Sequence, residues 1–113
     1  MIDMKKTLDE VTKTAATLGK EYPRLIGPFG VLKRHTVEED GALPSKVKRL
    51  IALALAVANG CECCIALHVK GSLDAGATKD EIIEACFVSA LMAGSPAVFH
   101  TGLVMDAIEK FSK

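Results

Sequence analysis

The most constraining feature of the chain is a run of nine apolar residues, Leu50 to Ala58, closed by Asn59-Gly60. It falls well short of the about 20 residues that a membrane-spanning helix needs. It is apolar on every helical face, so it reads as a helix buried all round by other helices. Elsewhere strict alternation of apolar and polar residues never persists, and clusters of β-branched and aromatic residues are absent. The expectation is an all-α fold of about six helices, without a strand.

Starts and stops divide the chain. Thr7 to Leu18 is an amphipathic helix with Leu8, Val11, Ala15 and Leu18 on one face, closed by Gly19 and Pro23. Gly27, Pro28 and Gly30 break the next stretch into a turn-rich connector or one irregular helix, and Phe29 to Val37 reads as a short helix. Glu38-Glu39-Asp40-Gly41 reads as a solvated acidic loop. Pro44 opens the apolar helix. Lys46, Lys48 and Arg49 lie at the wrong end of it for the helix dipole, so other partners are expected to hold them. A fourth helix runs from about Cys61 to Leu73 or Ala75. Thr78 with Glu81 forms a capping box for a fifth, Lys79 to Met92, and Ser95-Pro96 opens a last one to about Phe111.

With 113 residues the chain reads as one domain, 1–113, with an N-terminal helical region, 1–42, and a core, 43–113. Fourteen basic and fourteen acidic side chains leave no net charge, which argues against a nucleic-acid partner. Half the residues are apolar, more than a small core absorbs, and a subunit interface is the expected outlet. Met1 to Lys20 is polar, without the apolar region of a secretion signal, and nothing suggests a membrane partner. A reducing cytoplasm is therefore the expected location, and clustered thiols there point to redox chemistry or metal binding.

The cysteines carry that chemistry. On a helix at about 100° per residue, Cys61, Cys64 and His68 share a sector of about 60°, while Cys63 points the opposite way. A Cys-x-x-Cys pair on a first helical turn can close into a disulfide with a small adjustment. The helix N-terminus favours the thiolate, the nucleophile towards peroxides and disulfides. His68 can accept the Cys64 proton or, as imidazolium, stabilise its thiolate. Cys63 reads as a small core or interface thiol, Cys86 as core packing, His35 as a surface residue, and His100 as a buried, hydrogen-bonded histidine with a possible supporting role near the site. The same thiols and His68 are also acceptable zinc ligands, with Cys86 or His100 as a fourth. Zinc domains usually lack this much apolar bulk, and no metal or other cofactor is expected.

Cys61-x-x-Cys64-x-x-x-His68, with Leu50-Ile51-Ala52-Leu53 and Ala58-Asn59-Gly60 before it, resembles the alkylhydroperoxidase D / carboxymuconolactone decarboxylase family. Ala75-Gly76-Ala77-Thr78 and Leu91-Met92-Ala93-Gly94-Ser95-Pro96-Ala97 extend the likeness, which covers about half the chain. The resemblance implies an all-helical fold whose two-helix hairpin core carries the cysteines, assembled as homotrimers or homohexamers. It implies that Cys64 attacks a hydroperoxide or disulfide, that Cys61 resolves it, and that His68 relays the proton. A dithiol protein would then reduce the Cys61–Cys64 disulfide. Redox members usually carry a relay glutamate twelve residues before the first motif cysteine, where this chain has Arg49. Arginine cannot accept a proton, but its charge can lower a thiol pKa, and His68 would then both take and return the proton. The alternative for Arg49 is pairing with a carboxylate at a subunit interface. Glu62 is the nearest acid in sequence, about 100° round the helix from Cys61. The family also contains a lactone decarboxylase, whose chemistry needs no thiol pair, and a non-catalytic oligomer would leave the thiols idle.

Overall fold

The computed structural model describes residues 2–112, and its elements begin where the chain supplies caps. Among those residues there are six α-helices and no strand: α1 (Met4–Glu21), α2 (Pro23–Lys33), α3 (Ser45–Asn59), α4 (Glu62–Asp74), α5 (Lys79–Ala93) and α6 (Ser95–Phe111). A π-helical turn, Arg34–Glu38, extends α2. The all-α expectation holds.

The α5 start is the capping box expected from the sequence. Glu81 donates its backbone N–H to Thr78 Oγ1 at 3.1 Å, and Thr78 returns its own to Glu81 Oε1 at 2.9 Å. Glu81 Oε2 also receives Lys46 Nζ at 2.9 Å, which ties the start of α5 to the first turn of α3. The α3–α4 hairpin turns at Gly60, whose φ of 67° lies in the left-handed region that a side chain disfavours. The N-terminal helix is fastened to the last one, because Met4 donates its N–H to Asp106 and Lys110 pairs with Asp3.

Leu53 and Val57 of α3, Ile65 and Val69 of α4, Ile82 and Cys86 of α5, and Val104 of α6 are sealed from solvent. Together they form one apolar core between the hairpin and the last two helices. Each such aliphatic side chain stabilises the fold by about 1.5–3 kcal/mol relative to exposure.

Of the two readings of the segment around Gly27, Pro28 and Gly30, the helix holds and the turn-rich connector does not. The helix is continuous and contains no buried residue, and Phe29 to Val37 is not a separate helix but the end of this one and the π-helical turn. Pro23 sits at the first position of α2, and the backbone bond that Pro28 cannot donate is lost on a surface helix, where water replaces it. Two further expectations are corrected. First, α3 is not buried all round, since Ile51 and Leu55 are 47% and 59% exposed. The chain covers only the side carrying Leu53, Ala56 and Val57. They join Phe29, Phe87, Leu91, Met92 and Phe99 as exposed large apolar side chains. Finally, the acidic segment is not a plain solvated loop. Asp40 Oδ1 accepts the Ser45 N–H at 2.7 Å and so caps α3, and Glu38 makes ion pairs described below.

Candidate functional site

The motif is built on the start of α4. Asn59-Gly60 stops α3 and leaves Cys61 in extended backbone as the cap of α4, where its Sγ accepts the Cys64 backbone N–H at 3.3 Å. Cys61 and Cys64 are joined as a disulfide, with their Cα atoms 5.3 Å apart. Both are half-buried, and His68 follows one turn later, also half-buried. Cys63 points away and is exposed rather than a core thiol. It borders a separate groove of about 380 Å³ lined by Val11, Ala15, Leu18 and Ile26.

Arg49 reaches this edge from α3. Its Nη1 lies 3.4 Å from His68 Nδ1, a long hydrogen bond, and its Nη2 lies 3.8 Å from Glu38 Oε2. Lys33 Nζ stands 3.6 Å from the same carboxylate oxygen. Arg49 thus meets a carboxylate of its own chain rather than one known only at an interface. Burial first, and then the Arg49 and Lys33 charges, push the His68 pKa down to about 4. The ring is neutral at pH 7 and a weak base.

Cys64 and His68 both open onto a cavity of about 260 Å³, whereas Cys61 does not line it. Its walls are Phe29 and Leu32 of α2, Val37 of the π-helical turn, Ala52 of α3 and Leu67 of α4, with Lys33 among its lining residues. The walls are predominantly apolar, as in small-molecule sites generally.

The other candidates are not all assembled. Glu62 is exposed in the first turn of α4 and makes no hydrogen bond or ion pair among the described residues. His100 is half-buried; its Nδ1 lies 2.7 Å from the Pro96 carbonyl oxygen, and its ring packs against Gly60. Cys86 is in the core beside Thr101, and burial pushes its thiol up to about 11, so it is inert at neutral pH. Exposed His35 pairs with Glu39. Among the described residues no three His, Cys, Asp or Glu side chains converge as metal ligands. No helix among them is long and apolar enough to cross a membrane.

Sequence reasoning missed Glu38, Lys33 and the wall supplied by α2. Glu38 sits in a charged run with no helical periodicity, so only the fold brings it to Arg49. Gly71 was also missed, although a glycine inside a helical pattern is a signal of close packing. Its Cβ position would fall 2.6 Å from the Arg49 guanidinium carbon.

Comparison with known proteins bears on the family and the fold. The crystal structure of the apo form of a carboxymuconolactone decarboxylase family protein from Legionella pneumophila superposes with a TM-score of 0.91 at 34% identity, covering 97% of each chain. An uncharacterized protein of Cupriavidus necator is 36% identical over 99 residues, 87% of this chain and 86% of its own. Uncharacterized protein 4 in the cox locus of Paracoccus denitrificans is 39% identical over 71 residues, 63% of this chain and 64% of its own. The model of the carboxymuconolactone decarboxylase family matches residues 30–107, and the chain belongs to that family.

Proposed function

We propose that the protein is a thiol-dependent peroxidase that reduces small organic hydroperoxides through a Cys61/Cys64 dithiol–disulfide cycle. One observation carries the reading: the two cysteines are bonded at a helix start, and Cys64, not Cys61, opens onto the apolar cavity. At about 260 Å³ the cavity is smaller than the 300–1,000 Å³ typical of drug-sized ligands, which favours a compact organic hydroperoxide.

In the reduced protein the Cys64 thiolate attacks the outer peroxide oxygen. The O–O bond breaks, Cys64 becomes a sulfenic acid, and the alkoxide takes a proton from water to leave as an alcohol. The Cys61 thiolate then attacks the Cys64 sulfur, expelling hydroxide that is protonated to water and closing the disulfide. Capping by Cys61 suits this step, because the N–H groups at the α4 start favour its thiolate. A dithiol protein completes the cycle by exchange, becoming oxidised as Cys61 and Cys64 are reduced. Lys33, which lines the same cavity as Cys64, favours the Cys64 thiolate electrostatically. A homotrimer or homohexamer belongs to the same reading, since the exposed apolar side chains need cover.

The test is free-thiol titration of the fully reduced protein before and after one equivalent of cumene hydroperoxide. The expected result is loss of two of the four thiols per chain, abolished by Cys64→Ser. Unchanged thiols in the native protein would overturn the peroxidase reading.

A further inference from the structure

Four side chains from four elements form a chain of contacts at the edge of the cavity: Lys33, Glu38, Arg49 and His68, of which Lys33 and His68 line it. Arg49 is the best shielded of the ion-paired groups, its side chain only 12% exposed. Its guanidinium lies on Gly71 of α4, one turn beyond His68. An added Cβ at Gly71 would come within 2.6 to 2.7 Å of Cζ, Nη1 and Nε, closer than real Cβ atoms approach anything. Gly71 has ordinary helical backbone, since the positive-φ glycines are Gly60, Gly76 and Gly94. No conformational need therefore explains a glycine, one of the poorest helix formers, inside α4. The space that it leaves for Arg49 does.

Arginine offers only N–H donors. A histidine nitrogen that faces it must present a lone pair, so a proton on His68 Nδ1 would point at another N–H. We propose that Arg49, seated on Gly71 and held by Glu38, is a positioning residue that fixes His68 as the neutral tautomer protonated at Nε2. The Nε2 edge has no partner among the described residues, and His68 lines the cavity beside Cys64. The ring therefore offers the cavity a hydrogen-bond donor and keeps its proton throughout. Its role is to receive an acceptor oxygen or the Cys64 sulfur, not to remove the thiol proton. The groups that face the ring, cationic Arg49 and Lys33 with the Glu38 carboxylate behind them, agree with a neutral imidazole.

Only the statement about the reacting oxygen rests on the peroxidase reading, and the tautomer does not. Nitrogen-15 NMR of the disulfide form at pH 7, without peroxide, reads the tautomer directly, and the thiol titration above tests the peroxidase reading separately. The native protein is expected to show a bare Nδ1 and a protonated Nε2 in a single form. Arg49→Met and Gly71→Ala remove the donor or its seat, and a bond from a charged donor biases the tautomer ratio by about tenfold or more. Both variants should lose that bias and titrate at higher pH. Should Gly71→Ala fail to fold, Arg49→Met alone decides. A native Nδ1 proton, or an Arg49→Met spectrum with the native tautomer ratio, overturns the assignment.

Discussion

Replacing His68 with Gln tests the electrostatics of the site through stability, without any substrate. The His68 pKa is about 4 in the folded protein, against an ordinary value of 6.5. Because the folded value is the lower one, the unfolded chain binds the proton first as pH falls. The neutral ring therefore costs nothing above pH 6.5, and folded stability is lost progressively between pH 6.5 and 4. The gap of about 2.5 pH units, at about 1.36 kcal/mol each, sets a ceiling of about 3.4 kcal/mol. The ring is only half-buried, so screening by solvent reduces this to roughly 1–2 kcal/mol. The assay is urea unfolding of the disulfide form of the native protein and His68→Gln at pH 7.5 and 4.5. Comparing the two proteins cancels the other titrating groups. His68→Gln should lose roughly 1–2 kcal/mol less than the native protein over that interval. An identical loss in both would show that burial and the Arg49 charge do not disfavour the imidazolium as argued.

Cys61→Ser should consume about one equivalent of hydroperoxide and stop at a Cys64 sulfenic acid or an intermolecular disulfide, read by mass spectrometry, whereas Cys63→Ser should cycle normally because Cys63 faces the other groove. Ile82→Ala removes a sealed core side chain and should cost about 2–5 kcal/mol in denaturant unfolding, and a cost under 1 kcal/mol would contradict its place in the core. Thr78→Ala breaks the capping box and should lower stability by about 1 kcal/mol, with a correspondingly lower Tm. Leu91 is 83% exposed in the protomer, so Leu91→Glu should leave helix content intact while light scattering shows a smaller assembly. A native protein that is already monomeric at micromolar concentration would refute the assembly.

Local signals were legible in the sequence. Thr78 and Glu81 announce α5 because both halves of a capping box lie within one turn. Cys64 and His68 share an edge because one helix carries both at a spacing of four, with Cys61 bonded to Cys64 from the cap position, and the same arithmetic turned Cys63 away. Arg49 could be brought to the motif only through the register of the family it resembles, and the hairpin at Gly60 is what makes that register a contact. The cavity could not be read this way. Its wall comes from α2, whose Gly27, Pro28 and Gly30 suggest a break where the chain stays helical. Glu38 reaches Arg49 through a π-helical turn that leaves no period to recognise. The apolar run Leu50–Ala58 misled for a related reason. Periodicity reports that all faces are apolar, but not whether the same protomer covers Ile51 and Leu55.

The absence of buried residues in α2 has a consequence for how the cavity is reached. Phe29, Leu32 and Lys33 of this helix form part of the wall beside Cys64, yet α2 packs mainly on α1 and the π-helical turn. A helix with so little sealed surface, two glycines and an internal proline is expected at the low end of local unfolding free energies. Its backbone amides should exchange with deuterium faster than those of α4 and α5. A molecule that fills the cavity only when α2 is folded slows that exchange in proportion to its occupancy, and so does a neighbouring copy laid over Leu25 and Phe29. Slowed exchange of that kind would link entry to the cavity to a folding equilibrium of one helix, on which the proposed substrate and the proposed assembly would both act.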